Sequence, residues 1–254
     1  MASRAEILRE LGLAPVWRLR RGATQDAASR EDEAPGETRP APAHAHGDER
    51  APAVDAVERR MRIATLTLDA LVEDIGGCRA CGLCATRNRT VPGVGAVDAQ
   101  WMFVGEAPGA DEDAQGEPFV GAAGQLLDNM LAALRMARGD GVYIANVLKC
   151  RPPGNRAPTP LEAAACRPYL DRQIELIAPR LIVALGKSAA CTLLDIDASV
   201  ASLRNRVHHY RGTSLIVTYH PAYLLRNPAD KAKAWEDLLF ARRTVRELAV
   251  APAG

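Results

Sequence analysis

The sequence predicts an α/β protein, a three-layer α/β/α arrangement around a central, mostly parallel four-stranded sheet. Two observations carry this. Four short apolar runs, Trp101 to Val104, Val142 to Asn146, Leu181 to Leu185 and Leu215 to Tyr219, are bounded by turn residues, which is how strands buried on both faces read. Helical patterns lie between them at Ala123 to Met136, Pro160 to Ile177 and Lys187 to Leu194, with a last one from Lys231 to Leu248. Strands alternating with helices of this length build parallel sheets covered on both faces.

Taken in order, the chain begins with Ile7, Leu8 and Leu11 on one face of a short helix that Gly12 ends, so residues 1–17 read as a short N-terminal helix or docking segment. Residues 18–54 are rich in Ala, Pro, Glu, Asp and Arg with almost no large apolar residue. Such a composition cannot offset ordering entropy by burial and predicts a disordered linker; His44 and His46 within it read as incidental. Residues 55–250 form the folded domain. Asp55 followed by Glu58 resembles a capping box, and Val57, Met61, Ala64, Leu68, Leu71 and Ile75 recur at helical spacing as far as Gly76 and Gly77.

Composition narrows the class. At 254 residues and 48% hydrophobic the chain can bury a sizeable core, and a net charge of +1 gives no global signal for nucleic acid, although a local basic face fits under balanced totals. No apolar run approaches the roughly 18 to 20 residues that cross a bilayer. The N-terminus lacks a secretory core, so the expected location is cytoplasmic. Six cysteines in that compartment are reduced, and clustered ones then favour a metal site over disulfides.

The strand ends are where chemistry is expected, because open α/β sheets bind ligands beyond the carboxyl ends of their strands. The first strand empties into GEAPGADEDAQGEPFVG, where Gly105, Pro108 and Gly109 permit sharp turns and Glu106, Glu112 and Phe119 follow. The second exit delivers Asn146, Lys149 and Asn155, the third Gly186, Lys187 and Ser188, and the fourth His220. His220 opens YHPAYLLRNP, in which Leu224 and Leu225 either start the next helix or wedge a base step apart while Arg226 neutralises a phosphate. Cys78 and Cys81 form a C-x-x-C that Cys84 extends, and Cys150 and Cys166 lie far along the chain. Structural zinc, a redox dithiol and an iron–sulfur cluster all use such thiols. Cys191, among Ala and Leu, reads as an ordinary buried thiol.

The segments CRAC, VGEAPGADED, GEPFVGAAGQLL, YIANVLKCRPPGNRAPTP, the helix containing Cys166 and YHPAYLLRNP together resemble one family, the bacterial and archaeal uracil-DNA glycosylases that carry a four-iron four-sulfur cluster, often called family 4. The resemblance runs from about Leu68 to Leu248 in unbroken order. It implies that Cys78, Cys81, Cys150 and Cys166 ligate a 4Fe-4S cluster of structural role, with Cys84 and Cys191 left over. It also implies that Phe119 stacks on uracil, that the Asn146 amide pairs with its edge, and that the Ala107 backbone binds beside it. Glu106, Glu112 and Asn155 match positions associated with the attacking water and the sugar, and His220 matches the histidine facing the uracil carbonyl. Leu224, Leu225 and Arg226 would contact DNA; apart from the resemblance, the loop between Cys150 and Cys166, with Arg151, Arg156 and Arg167, reads either as held against phosphates or as a solvated basic loop. The related covalently trapping branch carries a basic insertion that KCRPPGNRAPTP lacks, so turnover is expected rather than trapping.

The reading is a monofunctional DNA repair glycosylase, acting as a monomer on single- or double-stranded uracil-containing DNA, with no lyase step unless Lys187 serves as a nucleophile. Residues 1–17 would dock a replication or repair protein. Two rivals stand beside it, a non-catalytic iron–sulfur DNA-binding module of the same fold and a zinc-bearing nucleotide-binding domain.

Overall fold

Strand order explains where a ligand can sit. In the computed structural model, which describes residues 53–250, six strands form one sheet: β1 (Val94–Gly95), β2 (Trp101–Gly105), β3 (Val142–Asn146), β4 (Leu181–Leu185), β5 (His208–Tyr210) and β6 (Thr213–Thr218), ordered β1-β3-β2-β4-β6-β5. The four predicted strands are the parallel centre, with β2 paired to β3 on one side and β4 on the other. The count differs because β1 and β5 are antiparallel edge strands of two and three residues, too short to show a period. From β2 the chain runs through α3 (Ala110–Gln115) and α4 (Ala122–Ala133) to β3, then through α5 (Pro160–Ile177) past β2 to β4. The path thus reverses direction at β2, and a crevice opens beyond the strand ends there.

Alternation along the strands divides the core. Met102, Val104, Ile182, Ala184, Leu215 and Val217 face α5, α6 (Gly186–Leu194) and the short α7 (Val200–Leu203), while Trp101, Phe103, Leu181, Val183 and Ile216 face α4 and α9 (Lys231–Val250). These are the three expected layers. The helix α5 matches its predicted bounds because its signals are local and strong: Thr159 accepts from Glu162 N, Glu162 accepts from Thr159 N, and Pro160 follows at the first turn. Among the described residues no helix is long and apolar enough to cross a membrane.

One predicted pattern is corrected. The apolar spacing from Val57 to Ile75 is two helices, α1 (Ala53–Ala64) and α2 (Leu68–Gly77), because the Thr67 hydroxyl caps a new start at Ala70 N. The break resets the phase. Val57 and Met61 are therefore exposed, while Ile63, Leu71 and Ile75 pack on Tyr169 of α5. The expectations for residues 1–17, and for nearly all of the linker, lie outside the described residues.

Candidate active site

The crevice holds a cavity of about 440 Å³, walled by Glu106, Ala107 and Glu112 after β2, by Phe119, by Asn146 at the end of β3, by Asn155, and by His220 and Arg226 after β6. Strand exits far apart in sequence thus converge. Gly105 makes the convergence possible: a Cβ there would lie 2.4 Å from Asn146 Oδ1 and 2.6 Å from the Phe119 ring, closer than a side chain can approach. Phe119 takes a left-handed backbone (φ 56°), which turns its ring inward at a cost a bulky residue rarely bears. The Phe119 and His220 rings stand 5.5 Å apart at 29°, neighbouring walls of one pocket.

Asn146 is 2% exposed, and its Oδ1 is the buried side-chain polar atom left without a hydrogen-bond partner among the described residues. Such an acceptor costs free energy unless a ligand supplies a donor. His220 caps α8 (Pro221–Arg226), its Nδ1 accepting from Ala222 N at 3.1 Å. That bond puts the ring proton on Nε2. Burial, helped by the Arg226 charge and opposed by Glu112, pulls the imidazole down to about 4, so it is neutral at physiological pH. The ring is a fixed, uncharged donor. Burial raises the Glu106 carboxyl above its ordinary range, with Ser188 at the start of α6 opposing the shift through a hydrogen bond.

Three expectations are revised. The sequence reading places Glu112 near an attacking water, but Gly109 N, Val120 N and Gly121 N all donate to its carboxylate at 3.0 to 3.2 Å. It acts as a clamp on the loop that carries Phe119. Leu224 is 1% exposed and buried against α4 and α9, so it cannot wedge a base step; Leu225, at 43%, is free to. Of the arginines expected on phosphates, Arg156 pairs with Glu162, Arg167 with Asp195, and Arg151 donates to Asn155 Oδ1 at 2.7 Å. Lys187 points to Asp197 and does not line the cavity. Tyr223 and Ala123 also wall the pocket; helical phase was their only signal, and it needed the fold to be read.

A second, smaller cavity is lined by Cys78, Cys81, Cys84, Cys150 and Cys166, with Tyr169 and Lys149. Arg59 Nη2 donates to Cys78 Sγ (3.6 Å), Arg87 Nη1 to Cys150 Sγ (3.2 Å) and Lys149 N to Cys166 Sγ (3.3 Å), while the Leu83 backbone N–H lies beside the Cys81 thiol and opposes the upward push of burial. Among the described residues, Cys84 Sγ has no such donor. Burial pushes the Cys166 thiol up to about 12 and raises Cys150 and Cys81, so these three as free thiols stay protonated and need no such donors. Sulfurs each facing an N–H suit thiolates bound to metal. Among the described residues no three His, Cys, Asp or Glu side chains are set to hold a single ion; the thiols ring a space instead. Cys191 is only half-buried, its Sγ donating to Ala198 O.

Taken together, fold and pocket define a doubly wound α/β protein whose cavity beyond the strand ends brings together one aromatic ring, one buried amide and one neutral imidazole. Comparison with known sequences refines the class: the family model described as the uracil DNA glycosylase superfamily matches residues 92–239, and the chain belongs to that superfamily. It is 48% identical over 170 residues to a type-4 uracil-DNA glycosylase of Archaeoglobus fulgidus, covering 64% of this chain and 85% of the relative. Identity to a type-4 enzyme of Thermotoga maritima is 42% over 184 residues, or 71% and 95% of the two chains. A type-5 uracil-DNA glycosylase of Pyrobaculum aerophilum is 36% identical over 153 residues, 54% and 67% of the two.

Proposed function

We infer that this protein is a uracil-DNA glycosylase that hydrolyses the N-glycosidic bond of uracil in DNA and leaves an abasic site for repair. The observation that carries the reading is the partnerless Asn146 Oδ1 beside Phe119 and His220. Uracil presents an N3–H donor and an O4 acceptor, which an Asn amide complements with its oxygen and its NH₂. Cytosine presents an unprotonated nitrogen and an amine, leaving that buried oxygen unpaired, and sites of this kind reject the wrong partner strongly. A base in a duplex is out of reach, so it enters by flipping, at a cost of a few kcal/mol. Phe119 would supply the stacking face, and exposed Leu225, next to the cavity-lining Arg226, would support the gap.

Bond cleavage leaves negative charge on the departing base and positive charge on the sugar. The His220 Nε2–H is suited to the first, as a preorganised neutral donor at a carbonyl oxygen. Glu106 and Asn155 are suited to the second, orienting water or the sugar. Glu112 supports them indirectly by holding the Phe119 loop. No lysine lines the cavity among the described residues, which supports hydrolysis without a lyase step.

The thiols of Cys78, Cys81, Cys150 and Cys166 fit a 4Fe-4S cluster by donor type and by the N–H groups facing each sulfur, with Cys84 outside the set. Such a cluster supplies cross-linking, since hydrolysis transfers no electron: it would tie the end of α2 to the segment after β3 and to α5. The protein would act as a cytoplasmic monomer. A single-turnover assay of iron-loaded protein on a uracil-containing oligonucleotide tests the reading. Abasic product is expected, and its absence would leave only a DNA-binding module; zinc without iron in anaerobically purified protein would remove the cluster.

A further inference from the structure

Lys149 is 1% exposed, and nothing in the chemistry above uses it. Its position is unusual. Its backbone N donates to Cys166 Sγ at 3.3 Å, its carbonyl accepts from Val91 N at 2.8 Å, and Cys150 is the next residue. The side chain turns back along the chain: Nζ donates to the carbonyl of Asn146 at 2.7 Å and to Gln173 Oε1 at 2.7 Å. Gln173, wholly buried on α5, is fixed in turn, its Nε2 donating to Pro92 O at 2.7 Å and to the Tyr143 hydroxyl at 3.2 Å.

Asn146 is the last residue of β3, paired with Gly105 at the end of the ladder. Its carbonyl is buried, and an unpaired buried carbonyl is costly. An apolar residue at 149 would fill the same space without supplying that donor. A buried ammonium needs fixed acceptors around it, and here they are the Asn146 backbone and the Gln173 amide. The bonds Val147 N to Gly105 O and Leu148 N to Glu106 O, at 2.9 and 3.0 Å, complete the run between the pocket and the thiols.

We propose that Lys149 is the positioning residue for Asn146, holding the base-reading amide in register with the thiol-lined wall so that uracil recognition depends on that wall's integrity. This rests on the reading of the pocket as a uracil site. Lys149 touches no substrate; it acts through the Asn146 backbone, and Gln173 acts through Lys149.

A double-mutant cycle tests this with iron-loaded protein and a uracil oligonucleotide. Lys149→Met should retain the iron content and visible absorbance of the parent, while kcat/KM falls about ten- to a hundredfold, as expected for loss of a hydrogen bond to a charged group. Inhibition by free uracil should weaken by a similar factor. In an Asn146→Ala background the same substitution should cost little, because coupled residues are not additive. Equal losses in both backgrounds, or full activity of Lys149→Met with its iron in place, would overturn the proposal. If Lys149→Met does not accumulate folded, Gln173→Met replaces it in the cycle; it should cost several-fold alone and nothing beside Asn146→Ala, and an additive loss would be equally fatal. Full activity of Asn146→Ala would instead sink the uracil pocket itself, whereas a crippled Asn146→Ala beside a silent Lys149→Met would sink this inference alone.

Discussion

The two cavities of this protein are built on opposite principles. Around the thiols, polar partners are already supplied: guanidinium and backbone N–H groups face the sulfurs, and the space between them is small. Beyond the strand ends the cavity is several times roomier, and a buried acceptor waits without a partner. The first arrangement suits a group that stays, the second a group that arrives and leaves. The lesson is that an unsatisfied atom marks a substrate site, and a satisfied soft-ligand cage marks a structural one.

That contrast can be broken first at the thiols. Cys166→Ala should abolish iron loading and with it cooperative folding, since a structural metal contributes folding free energy directly, whereas Cys84→Ser should keep full iron by metal analysis; loss in both would widen the ligand set. At the pocket, His220→Ala should lower kcat about a hundred- to a thousandfold while DNA binding by gel shift is unchanged. Because the imidazole is held near 4 against an ordinary 6.5, the parent rate should show no inflection at 6.5 and lose this donor arrangement only as pH falls toward 4. A step at 6.5 would mean that the imidazolium takes part.

Asn146→Asp should come next, weakening uracil inhibition and turnover together without touching iron content; unaltered activity would place the base elsewhere. The loop after β6 then sharpens the distinction between support and contact. Leu224→Ala should destabilise by about 2 to 5 kcal/mol as a core deletion, measured by denaturant midpoint, and Leu225→Ala should leave stability alone and weaken only binding to duplex DNA. The smallest effect belongs to Glu162, whose carboxyl Arg156 holds down to about 2. A carboxyl depressed in the folded state stabilises above its ordinary range near 4.5 and loses that contribution as pH falls toward 2. Glu162→Gln should keep the capping-box bond to Thr159 N, lose the charge pairing with Arg156 at a cost of at most about 1 kcal/mol at neutral pH, and flatten that part of the acid dependence of Tm.

Much of this was legible before any coordinates. The strands Val142–Asn146 and Leu181–Leu185 and the helix Pro160–Ile177 carry their own punctuation, so their bounds read correctly from local signals. The residues of the pocket were legible as types at strand exits. Their division of labour was not. Glu112 and Glu106 look alike in GEAPGADED and both line the cavity, yet one accepts from three backbone N–H groups and the other meets the Ser188 side chain. Leu224 and Leu225 differ only by helical phase, which the turn of α8 against α4 and α9 decides. The α1–α2 break and the two edge strands were missed because each rests on three residues or fewer, below what periodicity can show.

Sequence by itself determined the alternation of strand and helix, the glycines that let backbones approach, and the identity of the chemically able side chains, because these depend on each residue and its near neighbours. Tertiary structure alone decided which polar atoms remain unpaired, which thiols face a donor, and that a lysine three residues past Asn146 reaches back to hold it. Those are properties of packing between distant segments, and burial, not composition, sets their energies.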